Sequence, residues 1–455
     1  MRWCLAPKVR NRKAQDNILG SALGQTTKPQ RGAIPIAPRW GFACICGPTT
    51  LGFAIAHLRC SGKVAPAATA ILACTLLFTS AASAQPKITL APPKPGRIDA
   101  IVPVMAQSAR CAAISDAHGL LAFGHDRGYA DAHVSLVKLD AAGTPAAYTI
   151  PIKLPTLPGL VKTPNYAVSV AFHPTLPLLY VWQDVYAHYT NPPAEMSDDL
   201  AKFDHLLIYD VAKETPALLA GLCRGESYIY GQQGGSVSVD PTGSFLYVPN
   251  LREEKNAGSL RFGRFPLGAD GLPKKDNVPP QLTPIEYVHL FHLSGYGSGL
   301  SFHHVAKDVV ISSCSQGLMT WRPEDKNVTL SGMPLKYGGH ARVVGHPTLP
   351  VLFASVAHHV NGDSLFRCEH VEGYLTLLPR QYVIPESKLS SPPAILSKHN
   401  KVAVGGQYQV YLLDLDDKGM PTGALTQVLV NCPQVRALVY SERFDRLYVG
   451  VELSK

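Results

Sequence analysis

Residues 168–181 read VSVAFHPTLPLLYV: a short apolar run, a turn containing His173 and Pro174, and a second apolar run. The same order returns in residues 235–248, GSVSVDPTGSFLYV, and in residues 341–353, ARVVGHPTLPVLF. Alternating apolar residues on both sides of a proline-containing turn predict a β-hairpin. A hairpin that recurs along a chain indicates a repeat fold, in which each copy needs its neighbours to bury its faces.

Four weaker copies keep the order of strand, turn and strand, so the sequence predicts seven repeats in all. They occupy residues 111–123, 300–312, 394–404 and 437–449. Two of the seven repeats add a third alternating run, HLLIYD in one and QVYLLD in the other. Units of four strands and roughly 40–70 residues are typical of propeller blades. The predicted fold class is therefore all-β, a seven-bladed β-propeller, with strands a to d running from the inside of each blade to the outside.

The repeats resemble those of the YVTN-repeat and lactonase-type seven-bladed β-propeller family. In that family a blade opens on an apolar run, turns at FHP or DP, and continues with YLYV. Here AFHP at residues 171–174 precedes LYV at residues 179–181, and DPTG at residues 240–243 precedes LYV at residues 246–248. The first, fourth and sixth repeats depart from the family pattern because they lack the turn proline. The resemblance covers about residues 98–455 and implies the fold. It implies little about activity, because enzymes, adhesins and scaffolds all use such repeats.

The last blade is predicted to be shared between the two ends of the chain. The seventh repeat supplies only two strands, residues 437–440 and 446–451, and a two-stranded blade leaves an edge of unpaired backbone groups. Two strand-like pieces, residues 87–90 and 98–104, precede the first repeat. We therefore expect inner strands a and b of this blade from the C-terminus and outer strands c and d from residues 87–104.

The positive charge of the chain is confined to its first part. The formal net charge is +9, and residues 1–63 alone carry ten basic residues and one acidic residue. Residues 64–84 carry no charged side chain, so residues 85–455 are balanced in charge. The predicted folded part therefore has no overall field that attracts a phosphate backbone, and no nucleic-acid partner is expected.

Residues 64–84 have the pattern of a secretory signal peptide. An apolar run, Ala70–Phe78, is followed by Ala82-Ser83-Ala84, the small-x-small pattern of a cleavage site. Residues 1–63 are then either a genuine basic leader or the result of a start codon assigned too far upstream, and both readings stay open. The sequence predicts a propeller domain over residues 85–455, exported to the periplasm or secreted, monomeric, and without a membrane span in the mature chain.

The cysteines of residues 85–455 indicate neither a disulfide framework nor a metal site. Their number is odd, they lie far apart, and none belongs to a closely spaced pair. Such cysteines are typically buried as small apolar residues. They are Cys111, Cys223, Cys314, Cys368 and Cys432. No metal and no cofactor is predicted.

One face of the predicted ring is the candidate binding face. In a propeller the d–a and b–c connections surround the mouth of the channel, and the a–b and c–d turns lie on the other face. Long connections on a rigid scaffold commonly carry binding sites, and those of this chain are rich in aromatic residues and histidine. The predicted ligand-binding residues are Arg110, Tyr166, His188, Tyr228, Tyr296, His340 and Arg436.

Two of these residues suggest the chemistry of the ligand. Arg110 and Arg436 share one repeat position, at the inner strand. Guanidinium groups there can hold a carboxylate or phosphate, or can pair with acids of their own blades. The histidines of the a–b turns, such as His173 and His346, are instead predicted to stabilise the turns, because they recur at one repeat position.

Two functions remain open at this level. The first is an exported ligand-binding or protein-interaction scaffold, whose unknown small-molecule or protein partner binds at the channel rim. The alternative is a lactonase-like hydrolase with a site at the channel mouth, which needs a base and an activated water. No nucleophile elbow, phosphate loop or HExxH motif is present in the sequence.

The leader boundary gives the first testable prediction. The basic residues end at Lys63, and the cleavage pattern follows at Ala82-Ser83-Ala84, so the mature protein should begin at or near Gln85. Mass spectrometry of the exported protein measures this directly. A mature chain that still contains Arg31 would show that the boundary is wrong.

Overall fold

This computed structural model describes the chain in separate segments, all within the compact unit Ala84–Lys455. The segments are 89–91, 101–105, 109–125, 133–146, 148–155, 164–187, 204–224, 236–252, 260–274, 300–305, 308–313, 317–321, 329–330, 341–356, 364–371, 374–383, 391–430 and 434–452. The predicted leader and signal peptide lie outside these segments. Nowhere in them is there a helix long and apolar enough to cross a bilayer.

The described segments consist of β-strands, with one short 3-10 turn at Ser397–His399 and no α-helix. The strands are β1 (Thr89–Ala91), β2 (Ile101–Met105), β3 (Ala109–Ser115), β4 (Leu120–His125), β5 (His133–Lys138), β6 (Ile150–Lys153), β7 (Pro164–Phe172), β8 (Leu178–Ala187), β9 (Asp204–Asp210), β10 (Ala217–Arg224), β11 (Ser238–Val239), β12 (Phe245–Arg252), β13 (Leu260–Pro266) and β14 (Leu300–Val305). They continue with β15 (Asp308–Ser313), β16 (Gly317–Trp321), β17 (Thr329–Leu330), β18 (Ala341–Gly345), β19 (Val351–Val356), β20 (Ser364–Val371), β21 (Tyr374–Val383), β22 (Ala394–Leu396), β23 (Lys401–Gly405), β24 (Gln409–Leu415), β25 (Pro421–Val430), β26 (Gln434–Ser441) and β27 (Arg446–Glu452).

Within the described segments these strands form seven sheets, numbered here in chain order. Sheet 1 is β3-β4-β5-β6, sheet 2 is β7-β8-β9-β10, sheet 3 is β11-β12-β13 and sheet 4 is β14-β15-β16-β17. Sheet 5 is β18-β19-β20-β21, sheet 6 is β22-β23-β24-β25-β1 and sheet 7 is β26-β27-β2. Paired strands that follow one another in the chain are antiparallel, as expected for chains that turn back through hairpins. The fold is all-β and β-propeller-like.

The first strand of each sheet packs against the first strand of the next sheet. Contacts run from β3 to β7, β7 to β11, β11 to β14, β14 to β18, β18 to β22 and β22 to β26, and β26 in turn contacts β3. The apolar core consequently lies between sheets. One cluster joins Ala122 and Val134 of sheet 1 to Val170 and Leu179 of sheet 2.

The second strand of a sheet is buried on both of its faces, which explains why strands a and b have apolar residues pointing to both faces. In β4, the consecutive residues Leu121, Ala122 and Phe123 are all fully buried. Neighbouring residues of a strand point to opposite faces, so full burial of consecutive residues requires a covering layer on each face. Burial of one such large side chain contributes about 1.5–3 kcal/mol, and no single sheet can supply it alone.

The N-terminal strands join the last two sheets. β2 pairs in parallel with β27, with Ile101 opposite Leu447, so sheet 7 contains strands from both ends of the folded unit, as predicted. β1 pairs in parallel with β25, with Thr89 opposite Ala424, and so belongs to sheet 6. The expectation that residues 87–90 form part of the last blade is therefore wrong. Both strands cover an outer edge, and each edge carries backbone groups that need partners.

Sheets 7 and 1 are also joined through their turns. The Asp116 carboxylate accepts hydrogen bonds from the Ser441 hydroxyl at 2.5 Å and from the backbone N–H groups of Glu442 and Arg443 at 3.0 and 3.2 Å. The Arg443 guanidinium donates back to the Asp116 carbonyl at 2.6 Å. A carboxylate that accepts several such bonds is a strong acceptor, so this turn pair stabilises the contact between β26 and β3.

A second link between sheets recurs, and it depends on a glycine turn between strands c and d. The hydroxyl of Tyr180 on β8 donates to the Gly271 carbonyl of sheet 3 at 2.7 Å, and the hydroxyl of Tyr448 on β27 donates to the Gly143 carbonyl of sheet 1 at 2.7 Å. Both glycines have positive φ, +72° and +76°, which favours glycine. The tyrosine of the YLYV pattern thus reaches into the following sheet.

Sheet 5 makes the same link with a different donor. Its equivalent residue on β19 is Phe353, which has no hydroxyl, and the residue opposite it on β20 is Arg367. The buried Arg367 donates Nε–H to the Gly419 carbonyl and Nη2–H to the Lys418 carbonyl, both at 2.8 Å. A neighbouring strand therefore supplies the donor that the tyrosine supplies elsewhere.

This substitution of donors is testable. Arg367→Leu should lower the free energy of unfolding by about 2–4 kcal/mol, because two turn carbonyls lose their donor. Adding Phe353→Tyr to that variant should restore about 1 kcal/mol, because the new hydroxyl takes the role of Tyr180. Urea denaturation followed by fluorescence measures both changes.

The control is Lys398→Leu, which removes an exposed cation and should change stability by less than about 0.5 kcal/mol. If Phe353→Tyr fails to restore stability in the Arg367→Leu background, the two side chains do not substitute for each other.

Candidate functional site

The structure describes the backbone of three of the seven predicted ligand-binding residues. Arg110 lies on β3, Tyr166 on β7 and Arg436 on β26. Each is the second or third residue of the first strand of its sheet, so all three lie near the ends at which these strands begin. The other four predicted residues lie outside the described segments: His188, Tyr228, Tyr296 and His340.

Arg110 occupies an irregular position in sheet 1. Ala109 pairs with His125 and Cys111 pairs with Gly124, so one residue of β3 has no partner of its own on β4. That residue is Arg110, and a one-residue register shift of this kind is a β-bulge. Bulges change the direction of a side chain relative to the regular alternation, and they are common at rims and next to functional sites.

Arg436 occupies the same position in sheet 7. Val435 pairs with Val451 and Ala437 pairs with Gly450, so Arg436 is again the extra residue of a one-residue register shift. The Arg436 side chain is half-buried. Because β26 contacts β3, the two bulged arginines lie on neighbouring strands of adjacent sheets. The repeat equivalence predicted from sequence is confirmed at the level of the backbone.

A glycine follows the bulge on the opposite strand in both sheets, and close packing explains it. A Cβ atom at Gly124 would lie 2.6 Å from the carbonyl oxygen of Val168 in sheet 2, and one at Gly450 would lie 2.8 Å from the Phe123 ring of sheet 1. Glycine at these positions lets the neighbouring sheet approach closely. This glycine at the end of strand b is a sequence signal for the bulge.

A polar cluster lies at the same end of sheet 1. His125 is the last residue of β4, and its Nε2 lies 2.8 Å from the Ser135 hydroxyl on β5. The rings of His125 and His133 stack with centroids 4.2 Å apart and an angle of 15° between planes. His125 and Ser135 are buried, with 2% and 7% exposure.

A second buried histidine lies at the corresponding end of sheet 2. His205, the second residue of β9, has its Nδ1 2.8 Å from the Gln183 carbonyl of β8, and the Gln183 amide donates to the Asp204 carbonyl at 2.9 Å. The His205 ring lies 5.8 Å from the Trp182 ring. Burial lowers the pKa of His205 to about 4, so it is neutral at physiological pH.

The opposite ends of the strands hold histidines with structural roles. His173 Nδ1 accepts the backbone N–H of Thr175 at 3.2 Å and of Leu176 at 3.0 Å, which closes its own turn, and its Nε2 lies 3.3 Å from the Gly243 carbonyl of the next sheet. His346 accepts the equivalent pair of N–H groups in its turn. The predicted turn role of these histidines is confirmed.

Two more histidines, both half-buried, lie between sheets. His304 on β14 has its Nε2 3.1 Å from the Ser238 hydroxyl of sheet 3 and its ring 5.1 Å from the Tyr247 ring. Burial lowers the pKa of His304 to about 4 and that of the adjacent His303 to about 3. Both are therefore neutral components of the packing at physiological pH.

The described segments contain no group of three or more His, Cys, Asp or Glu side chains arranged to hold a metal ion. Cys368 is buried, and burial raises the pKa of its thiol to about 12, as expected for a cysteine that acts as an apolar residue. The thiol of Cys111 donates to the Val168 carbonyl at 3.2 Å and so belongs to the contact between sheets 1 and 2.

The comparisons with known proteins add little to this description. No protein-family profile matches the chain, and no curated protein matches it. Among solved structures, the chain is similar to a protein from Lactobacillus plantarum, a target of the Northeast Structural Genomics Consortium. The match has a TM-score of 0.48 and 13% sequence identity, and it covers 74% of this chain and 89% of that chain.

The buried histidines predict a loss of stability in acid. An unfolded histidine titrates near 6.5, whereas His205 and His304 titrate near 4 in the folded protein. As the pH falls, the unfolded state therefore binds protons before the folded state does. The contribution of the two neutral histidines to the free energy of unfolding is full above pH 6.5 and is lost as the pH falls toward 4. Each should reduce the free energy of unfolding by about 1.4 kcal/mol per pH unit in that range.

Urea denaturation between pH 7.5 and pH 4.5 measures this slope. His205→Gln should flatten it, because glutamine can still donate to the Gln183 carbonyl but does not titrate. If the free energy of unfolding falls with pH as steeply in His205→Gln and in His304→Gln as in the unaltered protein, these histidines do not cause the loss of stability in acid.

Proposed function

We propose that residues 85–455 form a closed ring of seven blades, related to the YVTN-repeat and lactonase-type propellers and working as a monomer outside the cytoplasm. Support for the ring comes from the contacts of each first strand with the next and from the return contact of β26 with β3. Support for export comes from the sequence, in the uncharged residues 64–84 and their cleavage pattern.

Within that ring, the protein acts as a scaffold that binds an anionic group at the rim where the first strands begin. The ligand is a small molecule or a protein segment that carries a carboxylate or phosphate. The observation that carries this proposal is the placement of Arg110 and Arg436 at equivalent bulges of adjacent first strands. Two arginines at equivalent positions of adjacent first strands suit one anion, since a guanidinium group can donate two parallel hydrogen bonds.

The charge balance of the folded part favours local recognition. Residues 85–455 carry no net charge, so long-range attraction contributes little and the two arginines determine the preference for an anion. Tyr166, which begins its strand in the same way on the adjacent sheet, is the predicted neighbour of the pair. His188, Tyr228, Tyr296 and His340 complete the proposed rim.

The test uses citrate and inorganic phosphate as probes, with the melting temperature and isothermal titration calorimetry as measurements. A bound anion should raise the melting temperature, because it stabilises only the folded state. Arg110→Ala and Arg436→Ala should each weaken binding about tenfold or more, since a charge-assisted hydrogen bond contributes about 1.5–3 kcal/mol.

Lys213→Ala is the matched control. It removes an equal charge from an exposed position in the turn between β9 and β10, at the other end of the strands, and should leave affinity unchanged. Equal losses in all three variants would mean that the anion senses only net charge, and no effect of either arginine would disprove the site. Hydrolysis of an added lactone, lost in both arginine variants, would instead favour the alternative, a lactonase-like hydrolase.

A further inference from the structure

Sheet 1 contains a buried serine–histidine pair within hydrogen-bond distance. The Ser135 hydroxyl oxygen lies 2.8 Å from Nε2 of His125, well within hydrogen-bond distance. With the ring proton on Nδ1, Nε2 accepts the hydroxyl proton, which is the arrangement that activates a serine as a nucleophile. The pair is held on two paired strands, β4 and β5, so its geometry is fixed by the sheet.

The position of the pair is unusual for two polar side chains. Ser135 and Val137 are alternate residues of β5 and so share one face, and Val137 packs with Phe123 and with Ala437 and Tyr448 of sheet 7. An apolar residue at position 135 would extend that cluster without the free-energy cost of burying a hydroxyl group. Buried polar groups that interrupt an apolar face are expected where function requires them.

The pair also lies beside the proposed anion site. His125 is directly opposite Ala109 in the sheet register, and Ala109 precedes the bulged Arg110. A nucleophile, a base and a cation thus lie at one end of one sheet, with Arg436 on the adjacent strand β26.

We propose that Ser135 is the nucleophile and His125 the general base of an esterase site for small carboxylic esters that carry a second, anionic group. This inference rests on the proposed function for its substrate preference, because the arginine pair holds that anionic group.

The reaction balances with water as the co-reactant. The Ser135 oxygen bonds to the ester carbonyl carbon while its proton passes to Nε2 of His125. The bond from that carbon to the alcohol oxygen breaks, and the alcohol leaves with the proton from His125. Water then loses a proton to His125 and attacks the acyl-serine, which releases the carboxylic acid and returns the proton to Ser135.

His133 is a positioning residue for this base. Its ring stacks on His125 with centroids 4.2 Å apart and planes 15° apart, so it fixes the plane of the imidazole. His133→Leu should therefore lower kcat and leave KM and the melting temperature unchanged. A purely structural role for His133 would lower the melting temperature together with the activity.

The first experiment treats the full-length exported protein with a fluorophosphonate probe and locates the adduct by mass spectrometry. The expected adduct is on Ser135, and it should be absent after pretreatment with phenylmethylsulfonyl fluoride. No adduct, or an adduct on another serine, overturns the proposal. Because this measurement uses the unaltered protein, it does not depend on whether a variant folds.

The second experiment measures hydrolysis of p-nitrophenyl acetate and of the mono-p-nitrophenyl ester of succinic acid. Ser135→Ala and His125→Gln should reduce both rates at least 100-fold, whereas Ser115→Ala, a buried serine at the other end of β3, should leave them unchanged. Arg110→Ala should reduce only hydrolysis of the anionic ester. Rates that persist in Ser135→Ala overturn the proposal.

The two proposals fail in different ways. An adduct on Ser135 with no effect of Arg110→Ala on either ester removes the arginine site and leaves the nucleophile. Binding of citrate that depends on both arginines, with no adduct on Ser135, leaves the scaffold and removes the esterase.

Discussion

Every sheet of this protein depends on having another sheet on each of its faces. Consecutive residues of β4, Leu121, Ala122 and Phe123, are fully buried, and so is the run from Leu179 to Trp182 in β8. A single sheet exposed to water would present this apolar surface on both sides, at a cost of about 25 cal/mol for each Å². The stability of one repeat therefore depends on the repeats on either side of it. The packing of these adjacent sheets also sets the geometry of the rim.

The polar links between sheets refine this packing. A donor from one sheet reaches the glycine turn of the next, and the structure uses two kinds of donor for it: a tyrosine hydroxyl at Tyr180 and Tyr448, and a guanidinium at Arg367. Buried turn carbonyls need a donor, but the requirement does not specify the residue or the strand that supplies it. Repeats can therefore diverge in sequence while the interface between their sheets stays satisfied.

The sequence predicted the features that a local pattern encodes. The hairpin repeats, the turn histidines and the equivalence of Arg110 with Arg436 follow from spacing, and the structure shows each of them. The partner of β1 was predicted incorrectly because three residues that cover an edge carry no pattern that identifies the edge. The glycine before His125 has a packing role that the sequence does not reveal: the backbone of Val168 in the next sheet approaches Gly124 closely. The cross-strand contact of His125 with Ser135 has no sequence signature, because it depends on register.

The pairing of β2 with β27 has a consequence for how the chain reaches its native state. Asp116 and Ser441, which meet at the same junction of sheets 7 and 1, are 325 residues apart. Contacts of such long sequence separation form slowly, since the chain loses much loop entropy before it gains them. During synthesis, β1 and β2 emerge long before their partners β25 and β27 exist, so these strands must wait with unpaired edges that invite association with other chains. A protein built this way would benefit from a chaperone that holds the early strands until the last hairpin arrives.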